Sequence, residues 1–212
     1  MDAVTGGAAG RTAALAVVEA AGREGLAAAG PEEAIRAVVA SFFDVLGDRD
    51  AAARPGALKP GERQYFVGGA FLVTPDERFH MLVGSRGFPP EQERLMVPID
   101  GGHPATVRRT RAPLVLENTD EHGSFRQYLR TSRMGSSIYA PMIWQGDFLG
   151  QLIFAAQARN TLSRADLDVL VAVAHVACAL WVAHGGPAWL AATYPPPNGY
   201  YADREGERAG AG

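Results

Sequence analysis

Two stretches of the chain carry apolar residues at the spacing of an amphipathic helix. The first follows Gly30-Pro31-Glu32-Glu33, where the proline and the early acidic residues suit a helix start. The second follows Ser163, which approximates a capping box with Asp166. The two apolar stripes are Ile35, Val38, Val39, Phe42, Phe43 and Leu46, and then Leu167, Leu170, Val171, Ala174, Cys178 and Trp181. This spacing predicts two helices that end near Gly47 and His184.

Between these helices the pattern changes to short runs rich in β-branched and aromatic residues, separated by turn residues. It predicts strands over 65–74, 78–84, 95–99, 114–116, 136–144 and 148–157, the last two joined by Gln145-Gly146-Asp147. One short helix is predicted before Pro113, and a second is capped by Ser124 and carries Phe125, Tyr128 and Leu129. Because the strands mostly follow one another without long crossover helices, we expect a mostly antiparallel sheet.

The element order predicts an α+β fold with this sheet at its centre. The two amphipathic helices need one face of the sheet to bury their apolar stripes. The short elements between Ile99 and Met134 are then left to cover the other face. We expect a pocket beneath this less regular cover, because ligand sites commonly lie where loops and short helices cross a rigid scaffold.

The composition divides the chain into three parts around a single domain. These are an Ala/Gly-rich leader over 1–30, the domain over 31–184 and a Pro/Gly-rich, polar tail over 185–212. The leader can form a helix over about 11–29, with a thin apolar stripe of Leu15, Val18 and Leu26. In the tail, 194–197 favours an extended polyproline segment.

Charge and cysteine content exclude several classes of protein. The formal net charge of -3 gives no broad basic field that would attract nucleic acid or an anionic membrane. Cys178 is the only cysteine, which excludes an intrachain disulfide and fits a reducing compartment. No targeting signal is visible, and the apolar stretch 169–183 is interrupted by His175, as in a buried helix. We expect a cytoplasmic protein with no nucleic-acid or membrane partner.

Several runs of residues in the middle and second half of the chain carry a family resemblance. They are Val97-Pro98-Ile99-Asp100-Gly101-Gly102-His103-Pro104-Ala105-Thr106-Val107, Ala112-Pro113-Leu114-Val115-Leu116-Glu117-Asn118, Gly135-Ser136-Ser137-Ile138-Tyr139-Ala140-Pro141-Met142 and Gly146-Asp147-Phe148-Leu149-Gly150-Gln151-Leu152. Together with the helix led by Ser163, this order resembles the GAF domain family over residues 31–183. The resemblance implies a sensory domain of bacterial type with a pocket above the sheet, often dimerising through its end helices. It does not imply a particular ligand.

Departures from three subfamilies narrow what the resemblance implies. Cyclic-nucleotide-binding members carry Asn-Lys and a later acidic pair. Here Asn118 is not followed by lysine, and Phe125 has Leu129 and Arg130 where the acidic pair would fall. Free methionine sulfoxide reductases and bilin-binding members need a cysteine in the pocket, whereas Cys178 belongs to the apolar stripe of the last helix. The resemblance therefore disfavours all three of these subfamilies.

Sequence motifs for catalysis and metal binding are missing. The chain contains no G-x-S-x-G, H-E-x-x-H, Walker A or G-x-G-x-x-G motif, so we expect it to catalyse nothing and to hold no cofactor. Acidic and histidine residues do occur in the central loops, at Asp100, His103, Glu117, Asp120 and His122. Their spacing fits no compact ligand pattern, so no metal site is predicted.

The family layout implies a set of ligand-binding positions around the pocket. They are Gly102 and His103 at the start of the short helix, Glu117 and Asn118 after the next strand, Phe125, Tyr128 and Leu129 on the cover, and Ser137 and Tyr139 on the closing strand. Packing or a turn could explain each of them instead. His103 is the strongest candidate, because free N–H groups at a helix start and a tunable imidazole can both contact an anion.

Three arginines on or beside the predicted cover suggest a negatively charged ligand. Arg126, Arg130 and Arg133 recur at near-helical spacing, and guanidinium groups pair well with carboxylates and phosphates. A solvated basic face explains the same spacing. If one of these arginines turns inward, an anionic ligand becomes the sharper hypothesis.

We therefore expect a sensory domain that binds a small molecule, forms a homodimer and passes its signal to a separate protein. Two alternatives stay open. One is a ligand-free dimerisation or protein-interaction module that uses the end helices and residues 189–201. The other is a GAF-fold enzyme of unrecognised activity working from Asp100, His103 and Glu117.

Overall fold

The computed structural model describes residues 2–130 and 133–202, and gives the backbone alone for residues 2–9. Its helices are α1 (Asp2–Leu26), α2 (Pro31–Phe43), α3 (Gly102–Thr110), α4 (Arg164–Ala183) and α5 (Gly186–Thr193). Its strands are β1 (Phe66–Val73), β2 (Phe79–Arg86), β3 (Leu95–Pro98), β4 (Leu114–Leu116), β5 (Ser136–Trp144), β6 (Asp147–Ala156) and β7 (Tyr200–Tyr201). They form one sheet in the order β4-β5-β6-β1-β2-β3-β7, antiparallel except for the β3–β7 pair. The predicted α+β fold is confirmed.

Helices α2 and α4 cover one face of the sheet, as their apolar stripes predict. Ile35, Val38 and Phe42 of α2 are fully buried. The ring of Phe42 meets Phe154 of β6 edge-on, with 5.4 Å between the centroids. The approach of α2 to β2 depends on Gly84, because a Cβ there would lie 2.6 Å from Ile35 Cγ2. Its φ of +61° also favours glycine, so a larger residue would push the helix off the sheet.

Helix α4 begins where the sequence predicts. Ser163 Oγ accepts a hydrogen bond from Asp166 N, and the Asp166 carboxylate accepts one from Ser163 N, which completes the capping box. The same carboxylate accepts from Gly47 N at 2.9 Å and so ties the chain after α2 to the start of α4. Length and composition alone would let α4 cross a membrane, but Leu170 and Trp181 are buried in the core between the helices and the sheet. We interpret α4 as a core helix, in agreement with the sequence.

Helix α1 starts earlier than predicted and packs against α2 and α4. The predicted apolar stripe of Leu15, Val18 and Leu26 is wrong, because Leu15 and Leu26 are each 71% exposed. Val17 and Ala21 form the buried face instead. Small side chains on this face permit a close approach of helix to helix, which a search for large apolar residues does not detect.

The stretch after α4 contains structure that the sequence pattern did not predict. Helix α5 packs on α4 through an edge-on contact between Trp189 and Trp181, with 5.8 Å between the ring centroids. Strand β7 extends the edge of the sheet, where Tyr200 N donates to Arg94 O at 2.9 Å. The last part of the predicted tail, 203–212, lies outside the described residues. The predicted domain boundaries stay a prediction.

The other face of the sheet is covered by α3 and by residues 123–130, which we call the cover segment. Val107 of α3 belongs to a buried cluster with Phe71, Leu82 and Leu95 from three strands. Rings from the cover segment pack against the edge of this cluster. The predicted arrangement, with long helices on one face and short elements on the other, is confirmed.

Candidate functional site

A cavity of about 40 Å³ lies between the sheet and the cover segment. It is lined by Val67, Phe71, Leu95, Pro104, Phe125, Arg126, Gln127, Tyr128, Leu129, Met134, Ser137, Tyr139, Ile153 and Ala155. A water molecule needs roughly 10–15 Å³ of such space, whereas pockets for small ligands measure roughly 300–1,000 Å³. The cavity therefore has room for solvent in this conformation, and a larger guest requires the cover segment to move outward.

Strand β5 supplies two of the predicted positions to the cavity. Ser137 and Tyr139 line it, while the alternate residues Ile138 and Ala140 are buried among the long helices. This division follows from the period of a strand, in which successive side chains point to opposite faces. Burial raises the pKa of Tyr139 to about 12 against a smaller opposing effect of the neighbouring Ser137 side chain, so the Tyr139 hydroxyl stays protonated.

The start of α3 forms one side of the site and depends on two adjacent glycines. A Cβ on Gly101 would lie 2.5 Å from Tyr128 Oη, and one on Gly102 would lie 3.0 Å from Tyr128 Cε2. The Gly102 φ of +57° adds a second reason for glycine at that position. The pair therefore lets the cover segment approach the N-terminus of α3, which has no side-chain cap.

His103 lies on the first turn of α3 and is only 7% exposed. Its ring centroid is 5.6 Å from that of Phe125 and 6.3 Å from that of Tyr139, so it links the cover segment to the sheet. Its Nδ1 atom has no hydrogen-bond partner among the described residues. Burial lowers the pKa of His103, and electrostatic interactions with His122 and Arg133 lower it further. A neutral imidazole can present either a donor or an acceptor at Nδ1.

The cover segment is not the short helix that the sequence predicts from Ser124. Residues 124–130 contain no helical turn. Gln92 binds them instead, since its Nε2 donates to Tyr128 O and its Oε1 accepts from Arg130 N, both at 2.8 Å. A helix this short is costly to nucleate, and a buried amide side chain offers the backbone an alternative partner. Gln92 is fully buried and was not recognised from the sequence.

Hydrogen bonds also hold the chain on the far side of the cover segment. Gln157 Nε2 donates to Arg133 O at 2.7 Å, and Gln127 Oε1 accepts from Met134 N at 3.1 Å. Gln157 is fully buried at the end of the sheet. Side-chain amides therefore fix the cover on both sides of residues 131 and 132.

Three further polar atoms near the cavity have no hydrogen-bond partner within the described part of the chain. They are Ser137 Oγ, Tyr128 Oη and Gln151 Oε1. Ser137 is 2% exposed, so solvent outside the protein does not reach it freely. An unsatisfied buried polar group costs roughly 1–3 kcal/mol, so these atoms favour a partner inside the cavity.

Four predicted positions, Gly102, His103, Glu117 and Asn118, do not line the cavity, although the His103 ring packs against Phe125 and Tyr139, which do. The Asn118 carboxamide accepts from Asp120 N at 3.1 Å and donates to Glu121 Oε1 at 2.9 Å. It therefore stabilises a turn, while Glu117 is exposed. With Asp100 also exposed, the predicted alternative of a catalytic group formed by Asp100, His103 and Glu117 is not assembled around the cavity.

The three arginines predicted to pair with an anion, Arg126, Arg130 and Arg133, do not converge on the cavity. Arg133 lies 3.4 Å from the Asp120 carboxylate and donates to Thr119 O, and Arg130 is exposed. Arg126 lines the cavity but is also exposed. A hydrogen bond from Lys59 lowers the pKa of Asp120, so this carboxylate stays ionised beside its cations. No group of His, Cys, Asp and Glu among the described residues could hold a metal ion.

A wider groove of about 660 Å³ lies on the helix side, between the start of α2 and α5. It is lined by Ala29, Gly30, Pro31, Glu32, Glu33, Arg36 and Trp189. The Glu32 carboxylate is already paired with Arg36 at 3.1 Å and with Arg94 at 2.6 Å. Because Glu33 also accepts from Ala29 N, the carboxylates of this groove are occupied by the protein itself.

Solved structures with the same fold include both domains and enzymes. The GAF domain of a Coxiella burnetii phosphoenolpyruvate-protein phosphotransferase has a TM-score of 0.66 at 18% identity, over 84% of this chain and 97% of that one. The GAF domain of the Acinetobacter phosphoenolpyruvate-protein phosphotransferase has a TM-score of 0.63 at 16% identity, over 82% and 94%. Free methionine-R-sulfoxide reductase of Neisseria meningitidis, in complex with its substrate, has a TM-score of 0.63 at 15% identity, over 81% and 89%. Identities this low show a shared fold alone.

The reductase corrects one prediction from the sequence. Enzymes carry this fold, so the fold is compatible with catalysis. The prediction that the chain catalyses nothing is therefore wrong. Cys178 lies apart from the cavity, 2% exposed on α4 among the long helices. Burial raises the pKa of this thiol, which opposes formation of the reactive thiolate.

The comparison with protein families covers most of the domain. None of the curated proteins compared with the chain matches it significantly. The family model described as GAF domain matches residues 30–180, which include α2, α3, most of α4 and strands β1 to β6. The chain belongs to the GAF domain family.

Proposed function

We propose that the chain is a sensory domain that binds a small molecule in the cavity beneath the cover segment and reports its presence to a separate protein. The observation that carries the proposal is a cavity lined by Ser137 and Tyr128, whose buried Oγ and Oη atoms have no hydrogen-bond partner among the described residues. A guest that supplied hydrogen bonds there would stabilise the bound state by removing their penalty. Membership of a family of sensory and regulatory domains supports the same reading.

Opening of the cover segment would let a small molecule enter the cavity. Aromatic rings packed on the sheet, hydrogen bonds with Gln92 and one from Met134 N to Gln127 Oε1 help to hold the segment, and it contains no helix of its own. Segments with few internal hydrogen bonds open at low free-energy cost. Opening of the cover would enlarge the cavity, and closure over a guest would change the surface presented around residues 123–130.

Native mass spectrometry and a thermal-shift screen of small molecules test the proposal. A ligand present at about 100 times its Kd raises the free energy of unfolding by roughly 2.7 kcal/mol, which gives a measurable increase in Tm. Ala155→Val would place two added methyl groups in the cavity and should abolish the increase. Ala16→Val, at an exposed position of α1, is the matched control and should retain it.

If no molecule of a broad panel raises the Tm of the wild-type protein or is found bound to it, the proposal is contradicted. The absence of small-molecule binding, combined with tight binding to another protein, would favour the ligand-free interaction module. A ligand whose effect persists in Ala155→Val would place binding elsewhere and also contradict the assignment to this cavity.

A further inference from the structure

We infer, on the basis of the proposed function, that the molecule bound beneath the cover segment is uncharged and mainly apolar, with one hydrogen-bonding group directed at Ser137 and Tyr128. The inference concerns the chemical class of the ligand. It departs from the anionic ligand that the arginines of the sequence suggest.

The walls of the cavity are mostly hydrocarbon. The lining includes aliphatic and aromatic side chains from the sheet and from the cover segment, namely Val67, Phe71, Leu95, Phe125, Leu129, Met134, Ile153 and Ala155. Apolar surface removed from water contributes about 25 cal/mol per Å², so such walls favour an apolar body. Phe125 from the cover segment and Tyr139 from the sheet add two aromatic surfaces to this lining.

The charged side chains near the cavity do not favour an ionised ligand. Among the described residues that line it, Arg126 carries the formal charge, and it is exposed. Arg133 pairs with Asp120 and lies over the ring of Phe125, with its Cζ 4.8 Å from the ring centroid. Burying an ion without a close partner costs several kcal/mol. An ammonium group inside the cavity would carry this penalty in full, and a carboxylate would have the exposed Arg126 as its cationic partner in the lining.

The unpartnered polar atoms specify the remaining part of the ligand. Ser137 Oγ and Tyr128 Oη are hydroxyl groups, each able to donate or to accept, and both residues line the cavity. Burial raises the pKa of Tyr128, which keeps its hydroxyl neutral. A neutral amide, phenol or alcohol matches two hydroxyls without introducing charge. The predicted ligand is therefore a small neutral molecule with one such group on an apolar ring.

Benzamide, benzoate and benzylamine give a direct comparison, because they share one ring and differ mainly in charge. Their binding to the full chain at neutral pH can be measured by ligand-observed NMR and calorimetry. We expect benzamide to bind at least about tenfold more tightly than either ion, since a tenfold ratio needs only about 1.4 kcal/mol. Equal or tighter binding of benzoate or benzylamine would overturn the inference.

Variants test the assigned hydrogen bond. Ser137→Ala should weaken benzamide binding several-fold, and Ser124→Ala, on an exposed part of the cover segment, should leave it unchanged. Benzamide binding that is equal in Ser137→Ala and wild type would overturn the role of Ser137. If the thermal-shift screen finds an ionised ligand in the cavity and benzamide does not bind, the inference fails and the proposed function stands. If neither the screen nor the three probes yield binding, the proposed function itself fails.

Discussion

At the scale of single residues, His80 places a protonatable group inside the core. It is fully buried on β2, its ring meets Phe148 edge-on with 6.4 Å between the centroids, and Arg108 of α3 lies nearby. Burial, with a further contribution from the Arg108 charge, lowers the pKa of His80 from 6.5 to about 4. The folded protein therefore holds this imidazole in its neutral form.

This burial predicts a dependence of stability on pH. Between pH 6.5 and about 4 the unfolded chain binds a proton at His80 that the folded chain does not. The free energy of unfolding should therefore fall as the pH decreases through this window, by up to about 1.4 kcal/mol per pH unit. Urea unfolding of wild type and His80→Leu across the window measures the effect. As the pH falls, the free energy of unfolding of the wild type should decrease relative to that of His80→Leu. The His175→Leu variant, changed at an exposed site, should follow the wild type. Parallel profiles for wild type and His80→Leu would contradict the assignment.

A second residue-scale prediction concerns Arg159, whose side chain is 4% exposed and pairs with Glu62, 9% exposed. Glu62→Gln removes the closest negative charge and leaves Asp120, at 3.1 Å, as the remaining partner. We expect a loss of about 3 kcal/mol in the free energy of unfolding, because breaking a buried pair leaves a charge poorly compensated.

The control is Glu24→Gln, which breaks an ion pair with Arg23 that is more than half exposed on both sides. Surface pairs contribute about 0–1 kcal/mol, so this variant should unfold almost as the wild type does. Chemical denaturation of both variants compares them directly. If both variants lose the same free energy of unfolding, burial does not make the Arg159–Glu62 pair more important than a surface pair, and the prediction is wrong.

At the scale of elements, the cover segment depends on one side chain from a distant part of the chain. Gln92→Leu removes both hydrogen bonds that hold Tyr128 and Arg130. We expect faster hydrogen–deuterium exchange in peptides covering 125–130, with exchange in α4 unchanged, because local opening does not require global unfolding. Exchange that accelerates equally throughout the protein would mean that Gln92 stabilises the whole fold rather than the cover.

The contrast between α2 and the cover segment explains which elements the sequence predicts. In α2 and α4, local signals agree with the packing, since the apolar stripe, the proline and the Ser163 cap all favour the same helix. In the cover segment, the decisive partner is Gln92, which is 36 residues away from Tyr128. A local pattern does not contain that information, so the predicted helix was wrong.

At the scale of the whole molecule, the sequence predicts the layers better than the site. Strand alternation and the family resemblance together give Ser137 and Tyr139, and both line the cavity. Asn118 fails because its position after β4 does not reveal that its side chain turns back to Asp120 N and Glu121. Arg133 fails as an anion partner because Asp120, 13 residues earlier, already binds it. Residue types indicate a chemistry, and tertiary contacts decide whether it is free to act.

The proposed function requires that a small molecule bind between the cover segment and the sheet. Hydrogen–deuterium exchange of the wild-type protein, with and without the most stabilising molecule from the thermal-shift screen, tests it most directly. We expect slower exchange in the cover segment, at the start of α3 and along β5 around 137–139, with little change in α1. Protection confined to α1 and the outer surface of α4, with the cover segment unaffected, would contradict it.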